Sequence, residues 1–124
     1  MREFNRELVK DWVKALRSGD YKQTSWLLTD DGSFCCLGVL CAVKMDSRNF
    51  HDIISASGGG SSTIYREETL YQECNLGKIV VVDRKFWPYG ETMTAHDYFF
   101  RLNDVKGKTF PEIADEIERI LLDA

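Results

Sequence analysis

The chain has 124 residues, enough for one domain and too few for two that each bury a sound core. Its 44% hydrophobic content, with 3 Trp, 5 Tyr and 7 Phe, supplies the apolar surface needed to offset chain entropy and excludes a mainly disordered chain. Sixteen Lys and Arg against twenty Asp and Glu leave a net charge of −4, which argues against broad binding to DNA or to an anionic membrane.

Along the chain, Phe4, Leu8, Val9, Trp12, Val13 and Leu16 recur at helical spacing and predict a first helix over residues 3–17, stopped at Ser18-Gly19. The stretches 19–23 and 30–32 read as turns, with a short strand or one loose turn over 25–29 between them. A second helix is predicted from Phe34 to Met45, capped by Asp31 or Ser33. It is apolar almost all round apart from Lys44, which places it at the centre of the fold. The run 57–62, with its triple glycine, is a loop separating the two halves. Residues 64–74 read better as a polar helix closed by Asn75-Leu76-Gly77 than as a strand pairing with 50–56. Residues 78–83, with consecutive β-formers at Ile79 to Val82, predict a strand that needs a partner. Thr94 and Asp97 open a further helix running through Tyr98, Phe99 and Leu102. After a turn over 103–108, Thr109 and Glu112 form a capping box for a last helix with Phe110, Ile113, Ala114, Ile117, Ile120 and Leu121 as its buried stripe. The sum is an α+β fold, a single helix-dominated domain over 1–124 with a small β-sheet.

Cysteine chemistry is the first candidate for function. Of Cys35, Cys36, Cys41 and Cys74, three lie in the apolar run 34–43, so reduced, buried thiols are expected rather than disulfides. Cys35 and Cys36 in the first turn of the second helix keep a thiol nucleophile in play, with His96 as the conceivable base. The histidines His51 and His96 are far from the cysteines in sequence, so no metal set is expected, and no cofactor is called for. A serine hydrolase lacks its Gly-x-Ser-x-Gly elbow. The acidic residues Glu112, Asp115, Glu116, Glu118 and Asp123 read as the solvated face of the last helix.

Ligand binding has better candidates. The loop 57–63 could expose backbone N–H groups to a phosphate, but it lacks the lysine and spacing of a P-loop and reads first as a flexible surface loop. Lys106-Gly107-Lys108-Thr109 has no upstream glycine and is followed by Pro111 and Glu112, so it reads as a turn and a cap. Arg84, Lys85, Phe86, Trp87, Pro88 and Tyr89 group cations and rings at the end of the predicted strand. With Arg66 and Arg101 they could hold a planar phosphorylated ligand, Trp87 and Tyr89 stacking on it and the cations taking phosphate. Asn103 and Asp104 would reach a ribose. The alternative is that Phe86 and Trp87 pack into the core or a subunit contact.

Three strings are read together: Ala15-Leu-Arg-Ser-Gly-Asp-Tyr-Lys-Gln23, Phe34-Cys-Cys-Leu-Gly-Val-Leu-Cys41, and Leu102-Asn-Asp-Val-Lys-Gly-Lys-Thr-Phe-Pro-Glu-Ile-Ala-Asp-Glu-Ile-Glu118. They resemble a family of short proteins of tailed bacteriophages and prophages; the middle, from about 46 to 94, has no counterpart there. The resemblance carries no catalytic residues across. It implies a phage accessory, anti-defence protein in the cytoplasm of an infected host; the opening MREFNRELVK has no signal-peptide core. One class of such proteins acts as a sponge, binding a nucleotide-like immune signal such as a cyclic oligonucleotide or an ADP-ribose derivative without turnover. On this expectation the partner is a small nucleotide-like ligand, and the exposed aromatics imply a homo-oligomer. Two alternatives belong to other classes: an inhibitor that binds a host protein through an acidic or aromatic surface, and an enzyme that degrades the signal with His96 or Asp97 as base.

Overall fold

A computed structural model of the chain describes residues 4–25, 29–30, 32–46, 68–88 and 92–122. It begins with α1 (Arg6–Ser18), capped by Asn5, whose side chain accepts from the Leu8 N–H at 3.0 Å. Gly19 closes it at φ +79°, a left-handed conformation that costs glycine little. Leu8, Val9, Trp12, Val13 and Leu16 are buried, as the spacing predicts.

The region after α1 contains more strand than the sequence implies. β1 (Lys22–Gln23), β2 (Thr29–Asp30) and β3 (Ser33–Phe34) form a small sheet in the order β1-β3-β2, with β1 parallel and β2 antiparallel to β3. Ser33 and Phe34 therefore belong to a strand and not to the second helix. Phe34 is withdrawn by its pairing with Gln23 and Thr29, and its ring meets Tyr21 edge-on at 5.3 Å. Consequently α2 (Cys36–Met45) starts two residues later than expected, and Cys35 caps it by accepting from the Gly38 N–H through Sγ at 3.4 Å. The proposed cap Asp31 lies outside the described residues.

α2 is central, as its composition predicts: Cys36 through Ala42 are all buried. Trp12 crosses to it from α1, donating through Nε1 to the Cys36 carbonyl at 2.8 Å and meeting Phe99 edge-on at 5.8 Å. α3 (Glu68–Glu73) realises the described part of the polar helix expected over 64–74 and ends in a left-handed Asn75. Its buried Glu73 pairs with Lys44 of α2 at 3.0 Å.

β4 (Ile79–Val81) finds its partner in β5 (Thr92–Thr94), antiparallel, with Val80 opposite Met93. Val80 and Val82 face inward while Ile79 and Val81 are exposed, so the apolar run is half surface. α4 (Ala95–Asp104) starts at Thr94, whose hydroxyl accepts from the Asp97 N–H at 3.2 Å. α5 (Phe110–Ile117) starts at Thr109 with the full capping box to Glu112 and continues as a π-helical turn over Glu118–Leu122. The predicted stripe of α5 and that turn is buried throughout and packs on α1. The result is a helix-dominated α+β fold with two small sheets. No helix among the described residues is long and apolar enough to cross a membrane.

One acidic residue of α5 departs from the expected solvated face. Glu116 is buried, accepts from Tyr98 Oη at 2.5 Å, and is gripped by Arg119 through Nε at 2.9 Å and Nη2 at 2.8 Å. Tyr98 in turn accepts from the Asp83 N–H at 3.2 Å, so one chain of hydrogen bonds links α5, α4 and the end of β4. Burial, then the hydrogen bond to Glu116, pushes the Tyr98 phenol up, and it stays protonated as a donor. Tyr98→Phe should cost about 1–2 kcal/mol in urea denaturation, because the Asp83 N–H loses its partner and Glu116 loses a donor.

Candidate ligand site

Asp83 organises the segment that follows β4. Its carbonyl accepts from the Phe86 and Trp87 N–H groups, both at 2.9 Å, and its carboxylate accepts from the Lys85 N–H at 2.9 Å. This local side-chain bond is the one that aspartate supplies at a turn, and Pro88 then prevents the turn from extending. The bond from Asp83 N–H to Tyr98 fixes the turn to α4. Phe86 and Trp87 come out half-buried, packed against the core, while Arg84 and Lys85 stay exposed.

A second turn approaches from the other side. At the end of α4 the Val105 and Lys106 N–H groups both donate to the Arg101 carbonyl at 2.9 Å, and the Lys108 N–H donates to that of Leu102 at 2.9 Å. Gly107 at φ +61° lets the chain reverse here, which brings Lys106 and Lys108 back over the rings. The Arg101 guanidinium lies 5.0 Å from the centroid of Trp87, and Lys106 Nζ also lies at 5.0 Å. Over Phe86 stand Lys85 Nζ at 5.5 Å and Lys108 Nζ at 4.9 Å. Each ring thus carries two of the protein's own cations, held by the attraction of a cation for an aromatic face.

Glu112 borders the patch. Its bonds from the Thr109 backbone and hydroxyl lower its pKa first, and Lys108 and Lys85 add to that, so it remains a carboxylate. Its charge partly balances the two lysines.

The structure brings Lys85, Trp87 and Arg101 of the expected site together and separates others from it. Trp87 is covered by cations, so as it stands its ring supports the charges and is not an open stacking face. Arg84 is exposed and makes no ring contact among the described residues. Arg66, Tyr89 and the glycine loop lie outside the described residues. Asn103 is displaced from the expected role by burial: at 1% exposure its Oδ1 accepts from Gln23 Nε2 at 2.9 Å and from the Cys36 N–H at 3.2 Å. Its Nδ2 donates to the Thr24 carbonyl at 2.9 Å and to Asp104 Oδ1 at 2.6 Å, so no hydrogen-bonding capacity remains for a ribose. Asp104 is thereby tied to Asn103. Lys106 and Lys108 are the additions that sequence reading set aside as a turn. Their signal was the flexible Gly107 between two cations, and the rings they meet are distant in sequence.

The thiol reading does not survive the fold. Cys35, Cys36, Cys41 and Cys74 are all buried and free, and burial pushes the Cys35 and Cys74 thiols up to about 12 and raises Cys36 as well. None of these three is a thiolate near neutral pH. Among the described residues no group of His, Cys, Asp and Glu is placed to hold a metal ion.

His96, the conceivable base, is buried on α4 with Nδ1 at 3.7 Å from Asp97 Oδ1. Burial lowers its pKa, and Asp97 opposes that pull. Below the ordinary histidine value of about 6.5 the unfolded chain therefore binds a proton that the folded one resists, and stability falls as pH drops through that value. Thermal melts from neutral to mildly acidic pH should show a steeper loss for the wild type than for His96→Gln.

No curated protein and no solved structure matches the chain. A family model does match, over residues 4–121, and its span covers the described elements of the fold up to Leu121 and both turns of the ring and cation patch. The chain therefore belongs to the family described as Domain of unknown function (DUF8296).

Proposed function

We propose that the chain binds a small phosphorylated, nucleotide-like molecule at the Phe86–Trp87 patch and holds it without turnover. The observation that carries this reading is the convergence of Lys85, Arg101, Lys106 and Lys108 on two anchored rings. Four cations gathered by aromatic faces suit an anion with several oxygens, because charge-assisted hydrogen bonds to phosphate are roughly twice as strong as neutral ones. Phosphates are the first contact, and a base reaches Trp87 when Arg101 or Lys106 swings from the ring to a phosphate oxygen. Retention without turnover is supported by the chemistry nearby: the thiols are buried, and Glu112 is committed to its cap. The resemblance to phage proteins supplies the setting, in which the bound molecule is a host immune signal withheld from its effector.

The test is native mass spectrometry of protein purified from cells with an active nucleotide-signalling defence, followed by heating and analysis of the released compound. An intact phosphorylated compound is expected. A processed compound would make the protein an enzyme, and an apo mass with free signal in the lysate would remove the sequestration reading. The same spectrum reports whether the protein is a homo-oligomer.

A further inference from the structure

A second cationic feature lies on α1, apart from the rings. Arg6, Lys10, Lys14 and Arg17 follow one another along a single stripe and line a groove of about 720 Å³ that α1 shares with the π-helical turn, whose Glu118, held by Arg17, also lines it and leaves Lys10 and Lys14 as its outward cations. At the rise of an α-helix these residues stand about 6, 6 and 4.5 Å apart along the axis. Buried Val13 and Leu122 line the same groove and make its apolar floor. The stripe runs against the net charge of −4 of the chain as a whole.

These cations already show what they accept. Arg17 holds Asp115 at 2.7 Å and Glu118 at 3.2 Å, Lys10 holds Glu7 at 3.4 Å, and Arg6 donates to the Leu122 carbonyl at 2.8 Å. Lys14 is exposed and has no ion pair among the described residues. The partners are thus carboxylates and a peptide carbonyl, the groups that an acidic polypeptide presents. An extended strand repeats its same-side side chains about every 6.6–6.8 Å, close to the steps of about 6 Å from Arg6 to Lys10 and from Lys10 to Lys14. A nucleic acid backbone would leave the apolar floor unused, and the net negative charge opposes a long polyanion.

We propose that this groove docks an acidic segment of a partner protein in extended form, its carboxylates meeting Lys10 and Lys14 and an apolar side chain resting beside Val13 and Leu122. The test is fluorescence anisotropy with a short labelled peptide of alternating Glu and Leu. Saturable binding that weakens with salt is expected. Lys10→Glu with Lys14→Glu should reduce the affinity at least about tenfold and Lys14→Ala about threefold, with circular dichroism unchanged because both side chains are exposed. Pyrophosphate should not compete at concentrations that fill the ring patch, and Lys106→Glu with Lys108→Glu should leave the peptide bound, which separates this site from the other. No saturable binding, equal binding by the double variant, or tighter binding of a thymidine oligonucleotide through the same lysines would overturn the proposal.

Discussion

Asn103→Ala should destabilise the fold by about 3 kcal/mol. The side chain bonds four partners from three parts of the chain: Gln23 on β1 and Thr24 just after it, Cys36 at the start of α2, and Asp104 beside it. Truncation leaves the Cys36 N–H, the Gln23 amide and the Thr24 carbonyl without this partner at a site that is 1% exposed. Each orphaned buried group costs about 1 kcal/mol or more, while the small apolar gain of alanine offsets little. For a chain of this length that is about 10 °C in Tm, measurable by calorimetry. Asn103→Asp tests the cause. It preserves volume and the two acceptor bonds but turns a carboxylate oxygen toward the Thr24 carbonyl and Asp104, so it should be at least as harmful as alanine. A loss below about 1 kcal/mol for both would show that the network does not bear on stability. Gln23 also donates to the Lys108 carbonyl at 2.7 Å, so the change should loosen the turn that carries the patch lysines.

The second large effect concerns binding. Lys106→Glu with Lys108→Glu should weaken binding of ADP-ribose or a cyclic dinucleotide about 100-fold in isothermal titration calorimetry, since about 1.4 kcal/mol corresponds to each factor of ten. Two charge-assisted contacts of about 1.5–3 kcal/mol each would give more if dry, and solvent at this partly exposed turn reduces that. The fold should change by no more than about 0.5 kcal/mol, because the turn is held by backbone bonds to Arg101 and Leu102. Trp87→Phe keeps an aromatic seat for Arg101 and Lys106 and should cost far less than Trp87→Ala, which removes it. Equal affinity of the wild type and the double lysine variant for these probes would remove the patch as the ligand site.

Much of this molecule is legible in one dimension. The buried stripes of α1 and α5, the caps at Thr94 and Thr109, and the almost wholly apolar α2 follow from spacing and from local bonds between residues three or four apart. Such bonds need no partner from elsewhere, so sequence alone suffices to place them. Pairing is a different matter. The strand at Ser33–Phe34 exists because Gln23 and Thr29 come alongside it, and nothing local marks a two-residue strand. The same holds for Glu116, whose carboxylate is buried because Tyr98 and Arg119 satisfy it, and for Asn103, whose four bonds exclude a ligand.

The candidate site divides along the same line. That cations and rings cluster at Arg84 to Trp87 was determined by the sequence itself. That Lys106 and Lys108 join them, that the rings serve as seats for charge, and that α1 and the C-terminal turn enclose a second cationic groove was decided by the tertiary structure alone. The physical reason is range: a cap or a helical stripe is written within one turn of chain, whereas a cation over a ring about twenty residues away depends on how helices and turns are packed against each other.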